Sequence, residues 1–460
     1  MSVNYEYTSG AYDEEALLEL LDGRKYSVFM QTVEELNPVD VAEFFGRLPD
    51  ERQVAVFRLL KKDTAAEVFA ELESDVQERL IHAMSDREIG VIVDDLYSDD
   101  AATLLGEMPA SVVKRIMKNA KPETRAEINR LLSYPEDSAG GLMTGEFLEL
   151  RRHLTVTQAV ETIRKTGLDK ETVYVAYVTD AGRHLDGVVS LKDLLFANPD
   201  DIIEDIMETN ITSATTHDDR ETVAATIAKY DLLVLPVVDM EGRLVGIVTV
   251  DDAMDVLEEE TTEDIEKMAA ILPTDKPYLK TSVLETVKAR VPWLLILMLS
   301  ATVTGAIITH YEEALGAWVI LTAFMPMIMG TGGNAGGQSS MTIIRSLSLG
   351  DVEMRDFVRV LWKELRVSLL CGIVMGLATF VKVFLIDLHA DSTNLLVAAV
   401  VSLTLVMTVV LAKLVGSMLP IAVKRVGLDP AVMASPFVTT IVDALSLLLY
   451  FEIASMLLGI

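Results

Sequence analysis

Residues 291–309 read Val291-Pro-Trp-Leu-Leu-Ile-Leu-Met-Leu-Ser-Ala-Thr-Val-Thr-Gly-Ala-Ile-Ile-Thr309 and contain no charged side chain. A helix needs about 20 apolar residues to cross the ~30 Å hydrocarbon core of a bilayer. Apolar stretches of at least similar length follow at residues 314–344, 367–388, 394–419 and 431–460. The sequence therefore predicts an all-α transmembrane domain of five helices over residues 291–460, in contact with the lipid bilayer.

The net charge of the chain, −31, is concentrated before this domain. Residues 1–290 hold 30 basic and 59 acidic side chains, a net charge of −29, whereas residues 291–460 hold 9 and 11. A surface this acidic attracts cations and repels nucleic acid, which excludes nucleic acid as a partner. Acidity that only keeps the protein soluble is the competing explanation.

The loops between the spans indicate the orientation. Lys and Arg precede the first span and fall between the second and third and between the fourth and fifth, whereas loops 310–313 and 389–393 contain none. By the positive-inside rule, the N-terminal domains are cytoplasmic and the C-terminus lies outside. Lys382 and Lys413 are expected near span ends, where long basic side chains reach the interface.

Residues 13–133 show a weak helical repeat. Leu48, Leu72 and Leu96 follow one another at intervals of 24 residues, each at the end of a segment with helical periodicity. Short helices with a period of this length predict a solenoid-like α-helical N-domain, placed at residues 1–135. An irregular helical bundle is the alternative.

A second repeat is clearer. It aligns Gly187-Val-Val-Ser-Leu-Lys-Asp193 with Gly246-Ile-Val-Thr-Val-Asp-Asp252, each containing an apolar strand and leading into a helix. Two such units resemble a pair of cystathionine-β-synthase (CBS) domains, which are small α/β regulatory modules. The predicted boundaries are residues 136–200 for the first domain and 201–258 for the second.

An acidic connector is predicted at residues 259–290. Six carboxylates lie between Asp255 and Asp264, within about three helical turns. Like charges this close destabilise a helix, which favours a segment that binds counter-ions over a solvated linker.

Asp443 is the most informative single residue. It lies about 11 residues into the last apolar span, near the middle of a bilayer, and no Lys or Arg is found at matching depth in another span. A carboxylate at that depth costs on the order of 2.5–3.5 kcal/mol. We therefore expect Asp443 to bind a cation in a water-filled path, with a protonated structural Asp as the alternative.

The second span contains Gly330-Thr-Gly-Gly-Asn334-Ala-Gly-Gly-Gln338. Glycines at this density weaken a helix, and a broken helix is tolerated in a membrane only against protein or water. Freed carbonyls with Asn334 and Gln338 would then line a cation path. This interpretation is preferred to the alternative, in which small residues only allow close helix packing.

The order of these parts resembles the MgtE family of bacterial magnesium channels. The resemblance covers essentially the whole chain, and three motifs carry it: Ser138-Ala-Gly-Gly-Leu-Met-Thr144, Gly330-Thr-Gly-Gly-Asn334, and Gly427-Leu-Asp-Pro-Ala431 followed by Asp443. It implies a multi-pass protein of the inner (plasma) membrane and a homodimer with the pore on the dimer axis, lined by spans 2 and 5.

The resemblance also implies sites. Asp443 would hold the permeating ion, Asn334 and Thr439 would line the pore, and the connector would plug its cytoplasmic mouth. Regulatory Mg²⁺ would bind Glu67, Asp99, Asp219, Glu221, Asp252, Asp255, Glu260, Glu263 and Asp264. Some family members bind ATP at the CBS pair without hydrolysing it, and Asp193 would face its ribose.

The expected function is Mg²⁺ uptake down its electrochemical gradient, closed by cytosolic Mg²⁺, with Mn²⁺, Co²⁺ and Ni²⁺ as further candidate ions. A divalent ion gains about 4.6 kcal/mol per 100 mV, so uptake needs no ATP hydrolysis. The sequence contains no nucleophile–base set or cofactor motif, so an enzyme is not expected. A secondary transporter that couples a divalent cation to H⁺ or Na⁺ is the alternative, because one Asp can serve either mechanism.

Overall fold

The computed structural model describes residues 13–274, 278–279, 281–312, 316, 318–387, 395–433 and 435–459. It divides into two compact units, Met1–Leu257 and Glu258–Ile460. The first unit combines a helical domain with two small sheets, and the second is helical.

The helical domain of the first unit is a stack of short helices. They are α1 Glu14–Asp22, α2 Tyr26–Val33, α3 Pro38–Arg47, α4 Asp50–Phe57, α5 Lys62–Ala70, α6 Ser74–Ala83, α7 Asp86–Val93, α8 Ser98–Glu107, α9 Ala110–Asn119 and α10 Pro122–Leu131. Helix α3 packs on α5, α5 on α7 and α7 on α9. Helices two apart therefore stack in a row, and the predicted solenoid-like domain is confirmed.

The 24-residue period has a structural cause that leucine spacing alone does not reveal. Gln53 and Gln77, which are 24 residues apart, are both buried. Gln53 Nε2 donates to the carbonyl oxygens of Phe45 at 3.1 Å and Leu48 at 3.0 Å, and Gln77 Nε2 donates to that of Phe69 at 2.8 Å. Each glutamine thus satisfies carbonyls at the end of an earlier helix, where intrahelical donors are missing.

The rest of the first unit holds two copies of one α/β fold. The first copy comprises α11 Ala139–Leu142, β1 Leu148–Arg151, α12 Val156–Thr166, β2 Val175–Thr179, β3 Leu185–Ser190 and α13 Leu191–Phe196. The second comprises α14 Ile203–Ile206, β4 Ala214–Thr215, α15 Arg220–Tyr230, β5 Val234–Val238, β6 Leu244–Thr249 and α16 Val250–Met268. In each sheet the first two strands are parallel and the last two antiparallel. The predicted pair of α/β repeats is confirmed.

The two copies extend each other's sheets. Thr144 of the first copy forms a bridge to β6, and Glu208 of the second forms one to β3. A Cβ on Gly246 would come within 2.6 Å of Met143 Sδ, and Gly187 is equally close to the corresponding methionine of the second copy. The matching glycines of the repeat are therefore required for this close approach.

Helix α16 runs without a break from Val250 to Met268. The predicted boundary between the second CBS domain and the connector, at residues 258 and 259, therefore falls within one helix. Residues 275–277 and 280 of the connector lie outside the described part of the chain.

The second unit consists of long helices: α17 Val283–His310, α18 Met325–Ser348, α19 Phe357–Lys382, α20 Leu395–Arg425 and α21 Ser435–Leu458. Four segments of the described residues are long and apolar enough to cross a membrane, namely Val283–His310, Met354–Ile386, Leu395–Arg425 and Pro436–Leu458. Helix α18 has 24 residues and packs against α20 and α21 but is more polar. The count of five spans therefore stays a prediction.

The prediction of a helix broken at the glycines is wrong, because α18 is continuous. A Cβ on Gly332 would lie 2.8 Å from Thr408 Cγ2 of α20, and one on Gly333 would lie 2.9 Å from Thr439 Cγ2 of α21. These glycines let α18 approach both neighbours closely, which is the packing role that small residues have in membrane helices.

The expectation that Lys413 reaches the interface is also wrong. Its side chain is only 7% exposed, and its Nζ atom donates to Ser339 Oγ of α18 at 3.4 Å. Lys382, in contrast, is exposed. Helical periodicity does not distinguish these two positions, because burial at Lys413 comes from the neighbouring helices.

Candidate functional site

Asp443 lies in the first half of α21, eight residues after the helix begins, or about 12 Å along its axis. The side chain is partly exposed, yet its Oδ1 atom is buried and has no hydrogen-bond partner among the described residues. The hydroxyl oxygens of Thr408 and Ser446 are also buried and have no hydrogen-bond partner among these residues. Polar atoms in so apolar a helical unit need water, a proton or an ion as a partner.

Helix α18 brings further polar groups beside Asp443. Glycines of the Gly330–Asn334 motif pack directly against α21. Asn334 and Gln338, one turn apart, lie on an exposed side of α18. The structure thus brings the predicted pore residues Asn334, Thr439 and Asp443 onto two helices in direct contact. No residue that the structure describes covers the side of α18 on which Asn334 and Gln338 lie.

The acidic connector contacts the ends of these same two helices within the second unit. Lys267 Nζ of α16 lies 2.6 Å from Glu263 Oε1 and 2.7 Å from Asp429 Oδ2. Asp429 belongs to the segment that leads into α21. Ser348 Oγ, at the end of α18, donates to Asp264 Oδ2 at 3.0 Å. A short part of the connector is therefore held at one end of the helices that carry the predicted pore residues.

The charges at this contact keep the Lys267 side chain positively charged between carboxylates. Burial lowers the pKa of Lys267, but its hydrogen bonds to Asp429 and Glu263 outweigh burial and raise the pKa overall. Burial raises the pKa of Asp264, and the hydrogen bond from Ser348 offsets part of that shift. Lys267 therefore stays charged and neutralises two of the acids around it.

A second group of carboxylates lies in the first unit, where the helical domain meets the CBS pair. We call it the acidic cluster, and its members are Asp99, Asp100, Glu171 and Asp252. Ser98 Oγ donates to Glu146 Oε2 at 2.6 Å beside it. This hydrogen bond fixes the first turn of α8, which carries two members of the cluster, on the first CBS copy.

Burial and mutual repulsion raise the pKa of every member of the acidic cluster. Burial, followed by repulsion from Asp252, raises the pKa of Asp100 to about 6 and that of Glu171 to about 8. Burial also raises the pKa of Asp252 to about 6 and that of Asp99 well above its usual value. Asp99 Oδ1 and Glu171 Oε2 are buried and unpartnered among the described residues. A bound cation or bound protons would stabilise such a group.

The acidic cluster suits a hydrated cation. Among the described residues, no three or more His, Cys, Asp or Glu side chains are arranged to hold a metal ion directly. Mg²⁺ usually keeps several waters and is bound through only one or two carboxylates. The two orphaned carboxylate oxygens therefore fit Mg²⁺ bound largely through its water shell.

Glu67, Asp219 and Glu221, which the family resemblance assigned to regulatory Mg²⁺, are exposed carboxylates of the first unit. Asp219 is the N-cap of α15, and its Oδ1 accepts hydrogen bonds from the backbone N–H groups of Glu221 at 3.0 Å and Thr222 at 3.3 Å. An N-cap role explains an Asp at this position without a metal. The assignment of these three residues stays a prediction.

The other predicted residues of the CBS pair and connector lie on helices near the cluster or at helix starts. Burial and then repulsion from Asp255 raise the pKa of Glu71, so negative charge extends from α16 toward α5. Glu260 is partly buried on α16. Asp193 closes a capping box in which its carboxylate accepts a hydrogen bond from the Ser190 backbone N–H at 3.3 Å and its own N–H donates to Ser190 Oγ at 3.1 Å. Its nucleotide role stays a prediction.

Three residues of these sites are not among the predicted ones. Asp100 directly follows the predicted Asp99, and Lys267 follows Glu263 by four residues, the spacing of an ion pair on one helix face. Both could have been found from these neighbours. Glu171 lies in a loop with no sequence signal, and only the fold brings it to the cluster.

The raised pKa values predict that the metal-free first unit becomes less stable as pH rises. In the unfolded chain these carboxyls titrate near pH 4, whereas in the folded unit Asp100, Asp252 and Glu171 titrate near 6, 6 and 8. The folded state binds more protons than the unfolded chain. The contribution of these carboxyls to the free energy of unfolding is therefore fully present below about pH 4 and is lost as pH rises through 6 to 8. Added Mg²⁺ should restore stability, and more at pH 8 than at pH 5, because it binds ionised carboxylates.

Thermal unfolding of the full chain in detergent, with EDTA or Mg²⁺ at pH 5 and pH 8, measures both effects. Asp100→Asn with Glu171→Gln should weaken both, whereas Asp200→Asn, at an exposed position, serves as the control. A Mg²⁺ effect of equal size at the two pH values would contradict the assignment.

Family models match most of the chain. A model of the MgtE intracellular N domain matches residues 36–137, and that of the CBS domain matches residues 139–200 and 203–259. A third model, MgtE, described as a divalent cation transporter, matches residues 325–453. These matches fall on the helical domain, the two α/β copies and the long-helix unit, respectively.

Two solved structures resemble the first half of the chain. One is the cytosolic domain of the Mg²⁺ channel MgtE in complex with ATP, which is 38% identical with a TM-score of 0.50 and covers 53% of this chain and 99% of that chain. The other is the soluble part of a magnesium transporter, which is 31% identical with a TM-score of 0.52 and covers 54% of this chain and 97% of that chain.

Full-length relatives extend the similarity to the second unit. The magnesium transporter MgtE of Thermus thermophilus is 40% identical over 447 residues, which cover 96% of this chain and 98% of the relative. The magnesium transporter MgtE of Bacillus subtilis is 33% identical over 450 residues, which cover 96% of this chain and 97% of the relative. The predicted resemblance is confirmed, and the chain belongs to the MgtE family.

Proposed function

We propose that this protein is a Mg²⁺-selective channel that takes up Mg²⁺ down its electrochemical gradient and is closed by cytosolic Mg²⁺. One observation carries the proposal. The second unit contains Asp443, whose buried Oδ1 atom has no hydrogen-bond partner in the described part of the chain, and an acidic connector at the ends of α18 and α21. Its membership of a family of magnesium transporters supports Mg²⁺ as the ion.

The proposed pore needs two copies of the chain. Amide side chains of Asn334 and Gln338 are exposed on α18, and in lipid such groups would be left without partners. A second copy related by a two-fold axis would cover this face and turn the polar sides of α18 and α21 toward one path. In this arrangement α18 is the fifth span, and Thr439 lines the path one turn before Asp443.

Two Asp443 carboxylates facing this path would select for charge. Coulomb attraction to a divalent ion is twice that to a monovalent ion at the same distance, and a narrow path with few waters strengthens both. Mg²⁺ sheds water reluctantly, so it would pass largely hydrated. Mn²⁺, Co²⁺ and Ni²⁺ carry the same charge and would compete.

The connector is the proposed plug. Lys267 already links Glu263 to Asp429, and Asp264 is hydrogen-bonded to Ser348. These contacts hold the connector at the end of the path without any metal. Mg²⁺ bound among the remaining carboxylates, including Glu260, would add a bridge that depends on its concentration.

The acidic cluster is the proposed sensor. Without metal its carboxylates repel one another, which loosens the contact of α8 with the CBS pair. Mg²⁺ would favour the closed form only by binding it more tightly than the open form. Closure by the transported ion then forms a negative feedback.

ATP is proposed to bind at the CBS pair without being hydrolysed. The related cytosolic domain solved in complex with ATP supports this assignment. The membrane potential supplies the driving force, about 4.6 kcal/mol per 100 mV for a divalent ion, so transport requires no hydrolysis.

Uptake by the purified full chain in liposomes tests the proposal. A Mg²⁺-sensitive dye inside the vesicles should report uptake that grows with an inside-negative potential and does not require ATP. Vesicles without protein provide the baseline. Absence of potential-driven Mg²⁺ uptake would contradict the proposed function.

The proposed topology predicts a labelling pattern. With Cys371 replaced by Ser, His310→Cys at the end of α17 should react with an impermeant thiol reagent added outside cells. Asp351→Cys, between α18 and α19, should react only after the membrane is opened. The reverse pattern would overturn the orientation with cytoplasmic N-terminal domains and an outside C-terminus in the inner membrane.

A further inference from the structure

Among the buried residues that the structure describes, Lys413 is the one member of the set Lys, Arg, His, Asp and Glu. Its Nζ atom on α20 donates to Ser339 Oγ on α18 at 3.4 Å. Ser339, itself 2% exposed, donates to Glu364 Oε2 on α19 at 2.7 Å. The hydroxyl thus connects a cation and a carboxylate from two other helices. We call these three residues the brace.

The brace lies inside the helical unit, away from helix ends. Lys413 is 12 residues before the end of α20, Ser339 is nine before the end of α18, and Glu364 is seven after the start of α19. At 1.5 Å per residue these distances are about 18, 14 and 10 Å. Intramembrane charges are costly and are kept where they serve a site or path, with a partner nearby.

The brace is next to a close approach of two helices. One turn away, Gly416 of α20 meets the backbone carbonyl of Gly336 of α18. A glycine contact permits close approach but has no directional preference of its own. Hydrogen bonds are directional, and those of Ser339 therefore define one rotation of α18.

The rotation of α18 determines where the side chains on its exposed face point. Gln338 directly precedes Ser339, and with Asn334 it presents the exposed amides of the proposed pore. Successive helical positions are 100° apart. A side chain fixed on the buried face thereby fixes where these amides point.

We propose that Lys413, through Ser339 and Glu364, is a positioning residue that sets the spacing of the Asn334 and Gln338 amides across the ion path and so the preference among divalent ions. The inference rests on the proposed function, in which α18 lines the pore. The pair is charge-compensated. Removal of one charge strands the other in a dry site, whereas removal of both is tolerated.

Uptake of Mg²⁺ and Ni²⁺ by proteoliposomes tests the brace with Lys413→Met, Glu364→Gln and the double variant. Each single variant should lower Mg²⁺ uptake by about 10-fold and change the Mg²⁺ to Ni²⁺ ratio. The double variant leaves no stranded charge, so its amount of folded protein should recover. It still lacks the directional contact from Lys413, so the changed ion ratio should remain. Lys382→Met, at an exposed lysine of α19, is the matched control and should resemble the wild type.

A readout that does not need transport is the labelling rate of Asn334→Cys in a chain with Cys371→Ser. The single brace variants should change this rate by about 10-fold or more, because labelling follows the exposure of a thiol. The double variant should keep the changed rate. A return of its labelling rate and ion ratio to wild-type values would mean that a stranded charge, and not lost positioning, causes the single-variant effects. An unchanged ion ratio and labelling rate, with activity that only follows the amount of folded protein, would overturn the proposal. If the wild-type protein shows no uptake at all, the proposed function is refuted instead. The labelling rates would still test the brace.

Discussion

Asp443→Asn is expected to lower Mg²⁺ uptake by roughly 100-fold at a matched protein level. Removing a unit charge about 5 Å from a divalent ion in a partly hydrated path costs on the order of 3 kcal/mol, and each 1.4 kcal/mol is tenfold. Asn keeps the shape of the side chain, so the dimer should still assemble. Leakage of Na⁺ or K⁺ should fall less or rise, because selection by charge is lost.

Two further variants separate charge from position. Asp443→Glu keeps the charge but adds a methylene to each side of the path, so conduction should fall while divalent selectivity stays. Glu452→Gln removes a carboxylate from the same helix, nine residues later and therefore on the opposite side. Glu452 accepts a hydrogen bond from the Tyr311 hydroxyl at 2.9 Å. Gln keeps an oxygen that can accept this bond, so Glu452→Gln should change uptake by less than about twofold. Wild-type uptake by Asp443→Asn would mean that Asp443 is structural.

Asp99→Ala combined with Asp252→Ala is expected to raise the Mg²⁺ concentration that closes the channel by at least about 10-fold. Each charged hydrogen-bonding group contributes about 1.5–3 kcal/mol, and part of that is recovered when the repulsion in the cluster is relieved. The orphaned oxygen of Asp99 should be the larger contributor, because burial leaves it without another partner.

Two measurements on this variant distinguish a sensor from a solubilising surface. Mg²⁺ should protect the connector from protease less than in the wild type, and currents should persist at Mg²⁺ levels that close the wild type. Asp200→Ala removes one exposed acid outside the cluster and should change neither. Normal closure in the double variant would leave the cluster with no regulatory role.

Repeats and hydropathy made much of the architecture predictable. The helical domain repeats every 24 residues, and the two CBS copies repeat the same strands. In both cases a structural unit packs against another copy of itself, so the repeat can be detected in a single sequence. Apolar length predicted where the long helices of the second unit lie, but the helix ends differ from the predicted spans by up to 11 residues, as at Met325, where the span was predicted to begin at residue 314. Asp443 was predictable because few physical explanations exist for a carboxylate in an apolar span.

Tertiary packing decided what the sequence could not. Glycine lowers helix propensity locally, but in α18 the contacts of Gly332 and Gly333 with α20 and α21 outweigh that tendency. Lys413 is buried only because Ser339 and Glu364 come from other helices. Glu171 joins the acidic cluster through the fold alone. Properties of this kind depend on which distant segments meet, and periodicity contains no information about that.

Electrical recording from the purified full chain in planar bilayers, with Mg²⁺ varied on the side of the N-terminal domains, tests the central claim most directly. We predict discrete Mg²⁺ currents when that side contains little Mg²⁺, and their disappearance as its Mg²⁺ concentration is raised, with no requirement for an H⁺ or Na⁺ gradient. Mg²⁺ uptake that produces no discrete currents and requires a gradient of H⁺ or Na⁺ would contradict the claim and identify a coupled transporter.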